Sequence, residues 1–123
     1  MRDFRKYEAW QLSHLLVLKV YSITKNFPVD EKYGLISQIR RSAQSVPTNF
    51  AEGSSKISEK EFIRFLDMAL GSATELDYQL ELSKDLGYIS EDVYEKLNAD
   101  IVSIKKLIYN LQQKIINDLK SRG

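Results

Sequence analysis

Two clusters of cations in this chain have the types and spacing to hold phosphate. Arg40 and Arg41 are adjacent in the middle of a weakly charged stretch. Paired guanidiniums can grip phosphate oxygens in a bidentate manner. Lys105, Lys106 and Lys114 make the last part of the chain basic, and Tyr109 stands among them. A tyrosine ring between lysines can stack on a nucleic-acid base. Each cluster also has a purely structural reading. Arg40 can pair with an acidic residue of the third helix while Arg41 is simply solvated. The lysines suit the negative end of a helix dipole, and Tyr109 suits a packing seam.

Residues for bond-making chemistry are scarce. There is no cysteine, which excludes disulfides, thiolate metal sites and thiol catalysis. His14 is the single histidine, beside Trp10, Val17 and Tyr21, and reads as a core or interface residue. One histidine cannot supply the two Glu-x-x-His pairs of a di-iron bundle. No phosphate-binding Gly-rich loop, dinucleotide fingerprint or Ser-His-Asp context is present. Glu75 and Asp77 are two residues apart, so on a helix they point to different faces. The expectation is a protein without enzymatic activity, cofactor or metal.

These side chains must be positioned by helices. With 28% charged and 43% apolar residues, five Gly and two Pro, the chain has the composition of a globular domain and little material for strand turns. Its 123 residues fit one domain, spanning 1–123. The longest apolar run is Leu15 to Leu18, far short of a membrane span, and no charged-then-apolar leader is present. A soluble, cytoplasmic protein is expected. The net charge of +1 is unevenly spread. Residues 1–56 and 101–123 each have a balance of +4, and residues 57–100 have −7. Two basic ends around an acidic middle either sort the helices or build a basic surface.

The first helix is expected over 7–26, with Trp10, Val17 and Tyr21 on one apolar face and Leu12, Leu16, Val20 and Ile23 on another. A helix apolar on two sides is normally covered on two sides, so the second stripe points to a partner subunit or a wide core. Pro28 ends the segment. Asp30 is a natural N-cap for a second helix running to about residue 52. Its apolar line is Leu35, Ile39, Ala43, Val46 and Phe50. Pro47 should kink it or loosen its last turns, and Gly53 should stop it with a positive φ. Ser58 and Glu61 form a capping box for a third helix over about 59–86. The core line there is Phe62, Phe65, Leu66, Ala69, Ala73, Leu76 and Leu80, with Gly71 on the opposite face where another backbone can come close. Gly87 stops it and Ser90 caps the fourth helix. There Val93, Leu97, Ile101, Ile104, Ile108, Leu111, Ile115 and Leu119 form the core line. Val102, Tyr109 and Ile116 repeat every seven residues as a second seam toward another helix. The tail 120–123 is expected to fray. Short connections make this an all-α, antiparallel up-down-up-down four-helix bundle, its third and fourth helices longer than the first two.

The residues so described resemble one family closely, the small four-helix-bundle proteins encoded in intervening sequences of bacterial 23S ribosomal RNA genes. The resemblance lies in Trp10, Tyr21, Thr24 and Phe27-Pro28, then in Tyr33-Gly34-Leu35 and Gln38-Ile39-Arg40-Arg41. It continues through Val46-Pro47, Asn49, Ala51-Glu52-Gly53, Lys60-Glu61-Phe62, Phe65-Leu66, Ala69, Gly71-Ser72, Glu75-Leu76 and Leu86-Gly87-Tyr88. Phe50 is bulkier than the aliphatic residue expected there, and Ser13 and Ser42 stand where alanine is common. The resemblance implies a homo-oligomer, a pentameric ring or barrel, and no enzymatic activity. The chain is also similar to the accessory protein of diversity-generating retroelements. That similarity implies a pentamer whose basic surface contacts nucleic acid and a reverse transcriptase. The family is often labelled ribosomal from gene location, which establishes no ribosomal role.

The functional expectation is a homo-oligomer that binds RNA or DNA with weak sequence selectivity, as an accessory to a nucleic-acid enzyme. Arg40, Arg41, Lys105, Lys106 and Lys114 are the candidate contacts. Leu12, Leu16, Val20, Ile23, Val102, Tyr109 and Ile116 are the candidate subunit interface. The alternative is a protein-interaction scaffold with no nucleic-acid role.

Overall fold

The computed structural model describes residues 2–122. After a short 3-10 turn at Phe4–Lys6 come α1 (Glu8–Thr24), a second such turn at Val29–Glu31, α2 (Leu35–Ser54), α3 (Glu59–Asp85) and α4 (Glu91–Arg122). Each long helix packs on its sequence neighbours, and α1 also packs on α4, which closes the bundle. The direction alternates. Tyr7, just before α1, meets Phe50 near the end of α2 and Phe62 at the start of α3. At the other end Phe27, after α1, meets Tyr88, before α4.

The periodic apolar lines become the core. All seven residues expected on α3 are buried, as are Ile39, Ala43, Val46 and Phe50 of α2. On α4 the line is fully buried at Leu97, Ile101, Ile104 and Ile108. Beyond it Leu111 and Ile115 are only half-buried, and buried Gln112 donates to the Ile63 carbonyl at 3.2 Å. Ten residues of α4 remain past Gln112, while only four residues of α3, from Glu59 on, precede Ile63. This is where the length of α4 goes: 32 residues, about 48 Å at 1.5 Å per residue. Its end does not fray as expected. Arg122 is helical and donates to both Glu59 carboxylate oxygens at 2.9 and 3.1 Å. Gly123 lies outside the described residues.

The helix ends follow local chemistry. The Glu61 backbone N–H donates to Ser58 Oγ at 3.4 Å, and that of Val93 to Ser90 Oγ at 3.1 Å. Gly87 has φ +81, and the Tyr88 N–H reaches the Ser83 carbonyl at 2.9 Å, a left-handed helix stop.

Two expected ends are corrected. Asp30 does not cap α2. It lies in the turn Val29–Glu31, and α2 starts five residues later at Leu35, where Glu31 Oε1 accepts from the Leu35 N–H at 3.4 Å. Gly53 does not stop α2 either. The helix runs unbroken through Pro47 and Gly53 to Ser54, and the φ of Gly53 is not positive. Gly53 is needed for space instead. A Cβ there would sit 2.6 Å from Phe65 Cβ and 3.0 Å from Phe62 Cδ1, so glycine lets α2 touch α3.

Candidate functional site

The two arginines have different fates. Arg40 is used inside the bundle. Its Nε donates to Thr24 Oγ1 at 2.9 Å, an Nη donates to the Tyr21 carbonyl at 3.4 Å, and the guanidinium sits 4.6 Å from the Tyr21 ring centre. It ties α2 to the end of α1, not to an acid on α3. The residue next to it, Arg41, is exposed and lines a groove of about 240 Å³ with Gln38, Ser42, Ser45, Ser72 and Glu75.

On the far side of α3, Lys105 Nζ donates to Thr74 Oγ1 at 2.8 Å. Lys105 and Lys106 line a second groove, of about 400 Å³, with Leu70, Val102 and Tyr109. Thr74 and Glu75 are consecutive, so one outer strip of α3 separates Arg41 on one flank from Lys105 and Lys106 on the other. Gly71 is in that strip, and a Cβ added there meets nothing within 4 Å. Within this chain no backbone approaches it, contrary to expectation. Lys114 is exposed two turns further along α4 and is not part of either groove. Among the described residues, no ion pair involves any of the five candidate cations.

The polar groove beside Arg41 escaped the sequence reading. Ser42 Oγ donates to Glu75 Oε1 at 3.1 Å, and Gln79 Nε2 donates to the same oxygen at 3.3 Å. The Ser45 and Ser72 hydroxyls meet at 2.8 Å, and Asn49 Nδ2 donates to the Ser45 carbonyl and hydroxyl, each at 2.9 Å. Gln79 is buried, and its Oε1 has no partner among the described residues. An orphaned buried acceptor costs about 1–3 kcal/mol. The signal was present as a polar line parallel to the apolar one: Ser42, Ser45 and Asn49 on α2, and Ser72, Glu75 and Gln79 on α3, all at helical spacing.

The interface candidates divide in the same way. Leu16 (3% exposed) and Val20 (0%) are core residues facing the other helices, so neither is open to a partner subunit as expected. Leu12 and Ile23 are half-buried at the edge of that core. The exposed apolar residues of α1 are instead Leu15 (51%) and Leu18 (54%). They were legible, since four consecutive apolar residues on a helix cannot all face inward. On α4, Val102 (48%) and Tyr109 (53%) are exposed and Ile116 is half-buried. His14 is exposed and stacks on Trp10, ring centres 5.2 Å apart and planes 5° from parallel.

The acids are largely structural. Glu75 faces α2, whereas Asp77 accepts from Tyr94 Oη and Asn98 Nδ2 of α4, each at 2.9 Å. Burial, followed by the hydrogen bond to Asp77 and the nearby Glu81, pushes the Tyr94 hydroxyl up to about 12. Among the described residues no group of three or more His, Asp or Glu side chains is placed to hold a metal ion. Nor is any helix among them long and apolar enough to cross a membrane.

Four alternating helices around one apolar core, with polar grooves on its surface, define an all-α four-helix-bundle protein. The chain belongs to the 23S rRNA-intervening sequence protein family, whose model matches residues 5–110. A solved structure from Bacteroides thetaiotaomicron, a protein of unknown function from the S23 ribosomal protein family, is similar to it. The two are 29% identical with a TM-score of 0.76, over 85% of this chain and 97% of that one. No curated protein matches.

Proposed function

We propose that this protein is a non-enzymatic, self-assembling helical module whose basic outer face binds RNA or DNA. The observation that carries the reading is the placement of Arg41, Lys105 and Lys106 on the two flanks of one strip of α3. These cations come from distant parts of the chain and none is in an ion pair among the described residues. Assembly is supported by two unlike apolar patches, Leu15 with Leu18 on α1 and Val102 with Tyr109 on α4. Unlike patches that meet head to tail generate a ring when the rotation closes. Five subunits is the number that the family resemblance implies. A ring repeats each cation, so a modest patch becomes a multivalent surface. A nucleic-acid enzyme as partner rests on the resemblance alone.

The competing reading is a protein-interaction scaffold. Its support is the exposed Met68 and Tyr78 on α3 near the open Gly71. Salt separates the two. Binding of labelled single-stranded RNA and DNA, followed by fluorescence anisotropy, should weaken steeply with added salt. The variant Arg41→Gln/Lys105→Gln/Lys106→Gln should keep the fold and flatten the log–log salt slope by about 2 per engaged subunit. A parent that binds neither nucleic acid at low salt, or a triple variant that binds as the parent does, would replace this reading with the scaffold.

A further inference from the structure

We propose that the groove between α2 and α3 receives one unpaired guanine of a single-stranded nucleic acid, with Glu75 as the residue that selects it. This rests on the nucleic-acid reading above. The groove has an unusual mixture of charge. Arg41 and Glu75 both line it, yet they form no ion pair. The carboxylate is held in place. Its Oε1 accepts from Ser42 on the facing helix and from Gln79 one turn on, while Oε2 has no hydrogen bond among the described residues. The Ser42 hydroxyl donates to Glu75, and the Ser45 and Ser72 hydroxyls bond to each other, so the charged groups left for a ligand are Arg41 and that free oxygen, with Gln38 beside them.

A bare phosphate would be repelled by Glu75, and a simple cation by Arg41. The fitting ligand presents an acceptor beside adjacent donors. Guanine does this on its Watson–Crick edge, where O6 is an acceptor and N1–H and N2–H₂ are donors. O6 would take a hydrogen bond from Arg41 or Gln38, and the two donors would converge on Glu75. Adenine and cytosine offer a single exocyclic donor group there, and uracil a single ring N–H. In a duplex this edge is already paired, so the pocket calls for a single strand, where bases are splayed out and read directly. The groove volume of about 240 Å³ is that of a small pocket, not an extended cleft. The carboxylate also has a cost for phosphate binding nearby, which a base-reading role explains and a purely electrostatic surface does not.

The test uses oligouridine carrying one central guanosine, adenosine or inosine, read by anisotropy at fixed salt. The guanosine strand should bind at least about fivefold tighter than the adenosine strand, the low end for one good base contact. Inosine, which lacks the N2 amino group, should fall between them. Glu75→Gln replaces the free oxygen with a donor or removes its charge. It should abolish the preference while affinity for plain oligouridine stays level or rises. Arg41→Gln should weaken all strands. Circular dichroism confirms the fold of each variant, and the inosine comparison needs no variant. Equal binding of the three strands by the parent, or an undiminished preference in Glu75→Gln, overturns the guanine pocket and leaves the nucleic-acid reading standing. A parent that binds no strand overturns both.

Discussion

Two glycines in long helices should respond to the same substitution with opposite sign. In Gly53→Ala the new methyl would lie 2.6 Å from Phe65 Cβ and 3.0 Å from Phe62 Cδ1. Carbon atoms are comfortable at about 3.5–4.0 Å, so α2 and α3 must separate by about 1 Å. Phe65 Cβ is fixed to the α3 backbone and cannot swing aside. Overpacking of this kind costs about 1–3 kcal/mol. Alanine recovers up to about 1 kcal/mol of helix propensity, less near a helix end, which leaves a net loss of about 1–2 kcal/mol. Gly71→Ala meets no atom within 4 Å and should gain about 1 kcal/mol from propensity alone. Urea unfolding followed by circular dichroism measures both, at one protein concentration because association shifts apparent stability. At about 4 °C per kcal/mol the two melting temperatures should move apart by about 8–12 °C. If Gly53→Ala is as stable as the parent, the close-contact account of Gly53 is wrong. Should Gly71→Ala keep the fold but disrupt assembly, the open strip of α3 is a subunit contact.

Leu15→Glu/Leu18→Glu should leave the helical signal intact, since both side chains are about half exposed, and should lower the sedimentation coefficient of an assembled parent. An unchanged coefficient would move the contact away from α1. In alkaline absorbance titration one of the seven tyrosines should ionise near pH 12, and Tyr94→Phe should remove it. Because the folded value lies above the unfolded value of about 10, this group's stabilisation is complete below pH 10 and is lost as pH rises toward 12. The alkaline loss of stability should therefore be shallower in Tyr94→Phe. Ser58→Ala removes the acceptor for the Glu61 N–H and should cost about 0.5–1 kcal/mol in the same urea assay.

Helical periodicity made the bundle legible because burial on a helix repeats every three to four residues, and α3 shows this at every expected core position. What periodicity does not settle is which of two apolar faces points inward. On α1 the stripe offered as a partner contact contains the core residues Leu16 and Val20, while Leu15 and Leu18 are outside. Glycine is ambiguous for a different reason. Gly53 and Gly87 each stand near the end of a helix, but the first makes room for a neighbour and the second turns the chain. Only the packed neighbour separates those uses. The cations follow the same rule. Arg40 and Arg41 are adjacent in sequence, yet a 100° step around the helix places one against Tyr21 and the other in an open groove. The serines lie on a polar line at helical spacing, but only the packing of α2 on α3 shows that the two lines bond to each other.

The uneven packing of the four helices has a kinetic consequence. α2 is joined to α3 most extensively, through the Gly53 contact, the buried aromatic rings and the polar line, whereas α1 meets α4 over a much smaller surface with the exposed Lys19–Asp100 pair at 2.8 Å. Contacts between consecutive helices close short loops, and the α1–α4 junction closes the longest. The α2–α3 hairpin should therefore form early, with docking of α1 on α4 last. In the native protein the order reverses. Amide hydrogens of α1 should exchange through partial openings that leave α2 and α3 protected, so the bundle comes apart from the side that carries Leu15 and Leu18.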